Sequence, residues 1–358
     1  MLQSKFPSSL TSLFLVKVVL AIVFILIAFH SLYVYSELRT ATRINHISSP
    51  ALRAPRGGRC LPQYSPSLLK KLESLKSSCQ PPPAQTSQWR VTTVTAHFGK
   101  LEKHYQNALQ THVLHTMLHR TKLEVMCAPV IDDLWNKPAF ILSLLLDEML
   151  KRPEDRTDWI FWVDRDTLIL DECRPASSFL PPYTVDADGE ASKQIKDNDV
   201  QLLVTDDWNG LNNGVFLLRV GRWAVELFSA IVAFRHYRPD VKLPFTEQSA
   251  MEILIKEPKF KDAVQFVPQH WFNTYPGGNA TRFLERNDEE GLADYQARRG
   301  DFLVHFAGVP AKDKSIDDWV DILGGMPDVW DAEKVQRNTT TDVEAFWAKI
   351  NPPDTLPL

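Results

Sequence analysis

The chain has 358 residues, 44% hydrophobic and 10% aromatic, which suits one large α/β domain or two small ones and excludes general disorder. Its net charge of −4 divides unevenly: residues 1–90 carry eleven Lys/Arg against two Asp/Glu, a balance of +9, and the remaining 29 basic and 42 acidic residues leave −13. A body that acidic lacks the basic footprint that phosphate backbones require, which argues against nucleic acid as a partner.

Residues 1–12 lead into the run 13–35, LFLVKVVLAIVFILIAFHSLYVY, long enough to span a bilayer, with Lys17 near one end and His30 and a Tyr pair near the other. No small-x-small cleavage site follows it, so an uncleaved signal anchor is expected rather than a signal peptide. Arg39, Arg43 and Arg53 beyond the run offset the N-terminal amine, Lys5 and Lys17 before it, so charge leaves the orientation open. Residues 36–88, rich in Ser, Pro, Arg and Lys and containing Pro81-Pro82-Pro83, read as a stem with one short helix at Ser67–Lys76. Cys60, Cys79, Cys127 and Cys173 permit three full pairings, and Cys127 and Cys173 also read as small buried residues beside strands. The sequons Asn279-Ala-Thr and Asn338-Thr-Thr suit a lumenal body.

The globular pattern starts at Trp89 and is expected to run to residue 325. Arg90–Ala96 reads as a strand, Leu101–Arg120 as a helix carrying four histidines, Leu123–Cys127 as a second strand. Lys137–Lys151 reads as a helix with Asn136 as N-cap and Pro138 in its first turn, and Ile160–Val163 as a third strand. That alternation is the grammar of a mainly parallel sheet with flanking helices. Val200–Thr205 and Val215–Val220 read as strands, Arg222–Tyr237 and Thr246–Ile255 as helices, Val264–Val267 and Phe302–Phe306 as short strands. Residues 280–300 read as a polar loop, and 326–358 as a C-terminal helix and tail.

Asp164 and Asp166 stand one residue apart at the exit of the third strand, the edge where open α/β folds hold ligands. Two carboxylates that close repel unless a cation separates them, and a hard divalent metal carrying a phosphate-bearing ligand meets that need. His104, His112, His115 and His119 sit at helical spacings, but no further well-spaced ligand adjoins them, so a solvated or interfacial face is the expectation. His305 ends a strand running into Gly308 and serves equally as a core histidine or a ligand. Residues 206–214, DDWNGLNNG, crowd Trp208, Asn212 and Asn213 beside glycines, a set that suits a polyol. Glu247 and Gln248 open a helix, where an acid favours the dipole.

The ordered set Trp135-Asn-Lys137, Asp158–Asp166, Asn209–Gly214, Glu247-Gln248 and His305-Phe-Ala-Gly308 resembles glycosyltransferase family 34, over about residues 89–325. The resemblance implies a GT-A-type, Rossmann-like α/β domain behind a cytosolic tail, one signal anchor and a stem, with the body in the Golgi lumen as a single-pass type II membrane protein. It implies that Asp164, Asp166 and His305 bind Mn²⁺, that Asp164 and Lys137 contact the donor nucleotide diphosphate, and that Asn212, Asn213 and Gly214 line the donor sugar. Glu247 and Gln248 would flank the anomeric carbon. Val309-Pro310-Ala311 depart from the family pattern ahead of Lys312, which leaves open whether that lysine reaches the diphosphate; Arg165 stands where a small or acidic residue is commoner.

The expected function is a retaining, Mn²⁺-dependent hexosyl transfer from a nucleotide sugar, UDP-galactose ahead of GDP-mannose, to a mannose-containing glycan, with glycosyltransferase partners in a complex as a further expectation. Two alternatives follow. One is a non-catalytic or mannosyl-transferring subunit of a Golgi complex. The other is a haloacid dehalogenase-like phosphatase, suggested by Asp164-Arg-Asp-Thr167.

Overall fold

A computed structural model of the protein describes residues 17–32, 52–79 apart from 56, 58 and 63, 89–182, 200–325 apart from 288, and 335–350. The prolines at 81–83 and the ends of the expected membrane run lie outside these residues. Residues 17–32 form a helix with exposed side chains, in a unit of its own, Met1–Ser49. Among the described residues no helix is long and apolar enough to cross a membrane.

The second unit, Pro50–Leu358, is built on a seven-stranded sheet. Its strands are β1 (Leu52–Arg53), β2 (Val91–Ala96), β3 (Lys122–Met126), β4 (Trp159–Val163), β6 (Leu202–Asp207), β7 (Gly210–Arg219) and β8 (Val264–Phe266), in the order β1-β3-β2-β4-β7-β6-β8. Only the β4–β7 and β7–β6 pairs are antiparallel, so the sheet is mixed and mainly parallel, as the alternation of elements implies. A two-stranded sheet pairs β5 (Thr167–Ile169) with β9 (Leu303–His305).

β4 is buried at every position because its sequence, WIFWV, offers no polar residue to either face. The pleat sends Ile160 and Trp162 into a core with Phe140, Ile141 and Phe228, and Trp159, Phe161 and Val163 into a second core with Phe179, Trp271 and Phe302. The first core is covered by α3 (Asn136–Met149), α4 (Arg222–Tyr237) and α5 (Thr246–Ile255). On the other side α2 (Lys103–His119) packs on β5 and on α7 (Lys312–Gly325). β3 and β4 lie on opposite sides of β2. The crevice beyond the carboxyl ends of β2 and β4 is therefore a topological switch point, where such sheets bind ligands.

Four expectations change. Residues 52–79, read as stem, belong to the body: β1 extends the sheet beside β3, and α1 (Pro66–Ser78) buries Leu68, Leu72 and Leu75. Cys60–Cys127 and Cys79–Cys173 are disulfides, so Cys127 and Cys173 are not merely small core residues. Asn136 does not cap α3; its Oδ1 accepts from the N–H groups of Val130 and Ile131 and clamps the preceding loop. The segment read as a polar loop opens with α6 (Ala280–Glu285), capped by Asn279, whose side chain accepts from the Arg282 N–H. The predicted C-terminal helix is α8 (Thr339–Ile350), which buries Val343 and Trp347.

Candidate functional site

Asp164 and Asp166 follow β4 directly, and the Asp164 N–H donates to the Gly214 carbonyl at 2.8 Å. β5 starts one residue later and runs antiparallel to β9 with Thr167 opposite His305. That register carries a residue 139 positions downstream to the acidic pair. Ligand atoms of Asp164, Asp166 and His305 lie within 4.8 Å of one another, the one such group among the described residues. Asp166 and His305 are buried and Asp164 is half-buried.

The protonation of His305 follows from a chain of amides. A backbone N–H can only donate, and that of Gly214 donates to Asn212 Oδ1 at 3.0 Å. Asn273 Nδ2 donates to the same Oδ1 at 3.1 Å and to Thr205 Oγ1 at 2.7 Å, so Asn273 Oδ1 is the acceptor facing His305 Nδ1 at 2.9 Å. A proton therefore sits on Nδ1, and Nε2, 3.5 Å from Asp166 Oδ1, is the nitrogen turned toward the carboxylates, a donor to Asp166 when it carries a proton and a ligand when it does not. Gly214 makes room for the ring: a Cβ there would stand 2.2 Å from His305 Cε1. Two carboxylates and an imidazole nitrogen, its ring oriented by Asn273, form a donor set that fits a divalent first-row metal ion.

Two lysines flank the acids. Lys137, at the start of α3, lies 3.1 Å from Asp164 Oδ1 and 3.5 Å from Glu247 Oε1, and it donates to Asn213 Oδ1 at 2.9 Å. Burial favours its neutral form, but Asp164 and Glu247 outweigh that and raise its pKa. Burial raises the Glu247 carboxyl, with Lys137 opposing. Lys312, at the start of α7, lies 2.5 Å from Asp166 Oδ2. Burial works to raise Asp166, yet His305 and Lys312 hold it below the usual carboxylate range. The departure at Val309-Pro310-Ala311 thus leaves Lys312 at the cluster. Arg165 turns outward, its guanidinium 4.1 Å from the centre of the Tyr105 ring.

Asn212, Asn213 and Gly214 lie inside β7 rather than in the turn, and Gln248 Oε1 accepts from the Asn213 N–H at 3.1 Å. Lys137, Glu247, Gln248 and the Asn212–Gly214 stretch thus form one surface beside the acidic pair. Sequence reasoning missed Asn273 and Tyr275, which lie in an irregular segment with no periodicity to mark them. It also missed His97, buried at the carboxyl end of β2, whose pKa is pushed down to about 3 by burial and then by His112 and Arg165.

The four helix histidines are not brought to the cluster as ligands. Nε2 of His112, His115 and His119 face the carbonyls of Thr167, Arg174 and Glu172 at 3.2, 2.8 and 2.8 Å. They form an interfacial face, not a solvated one. The three strands of the sheet that precede β4 also fit poorly with the phosphatase alternative, whose motif opens its domain.

The sequence model of the galactosyl transferase GMA12/MNN10 family matches residues 105–314, more than half of the chain. The chain is 25% identical over 227 residues to an uncharacterized alpha-1,2-galactosyltransferase of Schizosaccharomyces pombe, covering 56% of this chain and 59% of that protein. It is 22% identical over 171 residues to the probable alpha-1,6-mannosyltransferase MNN10 of Saccharomyces cerevisiae, covering 42% and 41%. Xyloglucan 6-xylosyltransferase 4 of Arabidopsis thaliana is 26% identical over 226 residues, covering 56% and 40%. The chain spans about half the length of the curated relatives it matches.

Proposed function

The chain belongs to the galactosyl transferase GMA12/MNN10 family, and on that premise we propose that it is a retaining, Mn²⁺-dependent hexosyltransferase. It moves galactose from UDP-galactose to a mannose-containing glycan. The observation that carries this reading is the convergence of Asp164, Asp166 and His305 beyond β4 with a lysine on either side. When bound by those three side chains, a divalent cation supplies Lewis acidity to the diphosphate leaving group. Lys137 and Lys312 add fixed positive charge where the leaving group develops its negative charge, prearranged by Asp164 and Asp166.

In this reading Asn213 is the amide beside the sugar hydroxyls, while Asn212, bonded to Gly214, Asn273, Tyr275 and Asp207, holds the strand in place and Gly214 yields its space to the His305 ring. Glu247 is buried and paired with Lys137 at 3.5 Å, which makes it a poor covalent nucleophile. Front-face attack by the acceptor hydroxyl, with Gln248 steadying the anomeric region, accounts for retention without a glycosyl-enzyme. Names among the relatives include galactosyl, mannosyl and xylosyl transfer, so donor choice rests on local contacts worth one or two hydrogen bonds.

The reading includes a Golgi location, with residues 13–35 as a type II anchor and the body in the lumen. Two disulfides support an oxidising compartment, and Asn279 and Asn338 are both exposed, as sequon use requires. The test is a donor screen on the full chain, measuring hydrolysis of UDP-galactose and GDP-mannose with Mn²⁺ and after chelation. UDP-galactose should turn over only with the metal. Undiminished turnover in chelator, or no turnover of any nucleotide sugar, defeats the reading.

A further inference from the structure

β6 and β7 meet in a two-residue turn, Trp208-Asn209, between the paired Asp207 and Gly210. Val163 at the end of β4 pairs with Val215, so the rest of this hairpin projects beyond the carboxyl edge on the same side as the acidic pair. Trp208 at its tip is 68% exposed, whereas Trp159, Trp162, Trp271 and Trp319 are essentially buried. Single exposed apolar residues need no explanation, but this one is not single. Its ring meets Tyr275 edge-on at 5.4 Å and Tyr295 at 5.7 Å.

The platform is held rigid from below. Tyr275 OH donates to Asp207 Oδ2 at 2.5 Å and accepts from Asn212 Nδ2 at 2.6 Å, and Asp207 Oδ1 accepts from the Asn209 N–H at 2.6 Å. One carboxylate thus fixes both the turn and the ring beneath the indole. The opposite side of Tyr275 faces His305, 5.9 Å between ring centres. Trp208 therefore stands one ring removed from the cluster. It lies on the β7–β6 side, whereas the switch-point crevice that suits a nucleotide lies on the β2 side of β4.

We propose that Trp208 is the docking face for the acceptor, stacking under the apolar C–H face of a pyranose one or two units from the attacking hydroxyl. This rests on the reading of the site as a glycosyltransferase. A flat, electron-rich ring with a polar rim matches a pyranose, which has an apolar face and hydroxyls around its edge. Preordering by Asp207 and Tyr275 lowers the entropic cost of binding a flexible chain.

The experiment compares the full chain with Trp208→Ala and Trp208→Phe in two assays. In the first, binding of a mannose oligosaccharide is followed by saturation-transfer NMR with no donor present. In the second, acceptor KM and the rate of UDP-galactose hydrolysis without acceptor are measured. Trp208→Ala should weaken glycan binding and raise acceptor KM by about tenfold. Hydrolysis of the donor should be unchanged, and Trp208→Phe should recover most of the loss. Equal glycan binding by wild type and Trp208→Ala overturns the proposal, as does a parallel rise in donor KM, which would assign the indole to the nucleotide base. Glycan binding that depends on Trp208 in a chain that hydrolyses no nucleotide sugar would sustain the platform and defeat only the enzymatic reading.

Discussion

Two regions of this protein gather imidazoles and carboxylates, and they differ in which ring nitrogen has given its proton to the protein. At the acidic pair, Asn273 accepts from the Nδ1–H of His305, and Nε2 is turned toward Asp166. On α2, carbonyls face Nε2 of His112, His115 and His119. A carbonyl can only accept, so these nitrogens carry the protons and Nδ1 is the nitrogen left to each ring, but among the described residues no group of three or more His, Cys, Asp or Glu converges there. Burial depresses the pKa of His112 to about 4 and lowers those of His115 and His119, keeping the face neutral. The hydrogen bond on one nitrogen selects which other nitrogen could bind a metal, and the convergence of carboxylates on it decides whether a site exists; residue type alone reveals neither.

The sharpest way to break this comparison is to delete one imidazole from each region. His305→Ala should reduce sugar transfer by about a thousandfold or more, the loss of several kcal/mol of charge stabilisation, and should abolish Mn²⁺ binding by calorimetry. His115→Ala should leave Mn²⁺ affinity intact and cost about 2–4 kcal/mol of stability, because it leaves a cavity and removes the imidazole donor to the Arg174 carbonyl. If His115→Ala removed metal binding while the fold persisted, the assignment of the two regions would be reversed.

A smaller change sharpens the same point without touching a ligand. Gly214→Ala places a methyl group 2.2 Å from His305 Cε1, and the ring must turn away from the carboxylates. Mn²⁺ affinity should fall about ten- to a hundredfold, in the range found when the support of a metal ligand is disturbed. Wild-type affinity in this variant would mean that the ring has freedom the packing denies.

How much of this was legible beforehand depends on the kind of signal. β4 and its acids were legible because an uninterrupted apolar run and a fixed spacing survive any packing. α4 and α5 were placed at their observed bounds because each has a continuous apolar periodicity. The membership of α1 in the body was not, because Ser and Pro around it masked Leu68, Leu72 and Leu75. Asn212–Gly214 in a strand ran against propensity, and tertiary contacts with Lys137, Gln248 and His305 overrode it. Asn136 was misassigned because one amide can cap a helix or clamp a loop, and only the fold decides. The disulfide pairing was beyond reach, since four cysteines alone do not choose among three pairings.

The smallest expected effect concerns the segment that receives the α2 histidines. Glu172 accepts from His119 through its carbonyl, and its own carboxyl is buried, with Lys71 as its one ion-pair partner among the described residues, at 4.0 Å, and Asp171 repelling it. Burial pushes its pKa up to about 8, with Lys71 opposing. In the unfolded chain this acid ionises near its ordinary value of 4.5. Between those two values the folded state therefore holds a proton that the unfolded state has lost, and stability falls as pH rises across the window. Below it the penalty is absent, and above it the penalty is full. Glu172→Gln keeps the shape and removes the charge. It should raise Tm at pH 9 by about 2–4 °C for each kcal/mol of charge burial relieved, and change it little at pH 4. Thermal unfolding of both proteins at the two pH values measures this. The acidic pair should respond differently: Asp166 is held ionised in the fold by His305 and Lys312, so its contribution is present above the ordinary carboxylate range and is lost on acidification. A Glu172→Gln variant stabilised equally at both pH values would show that its carboxyl is not buried as an acid, and the contrast between the two regions would lose its electrostatic half.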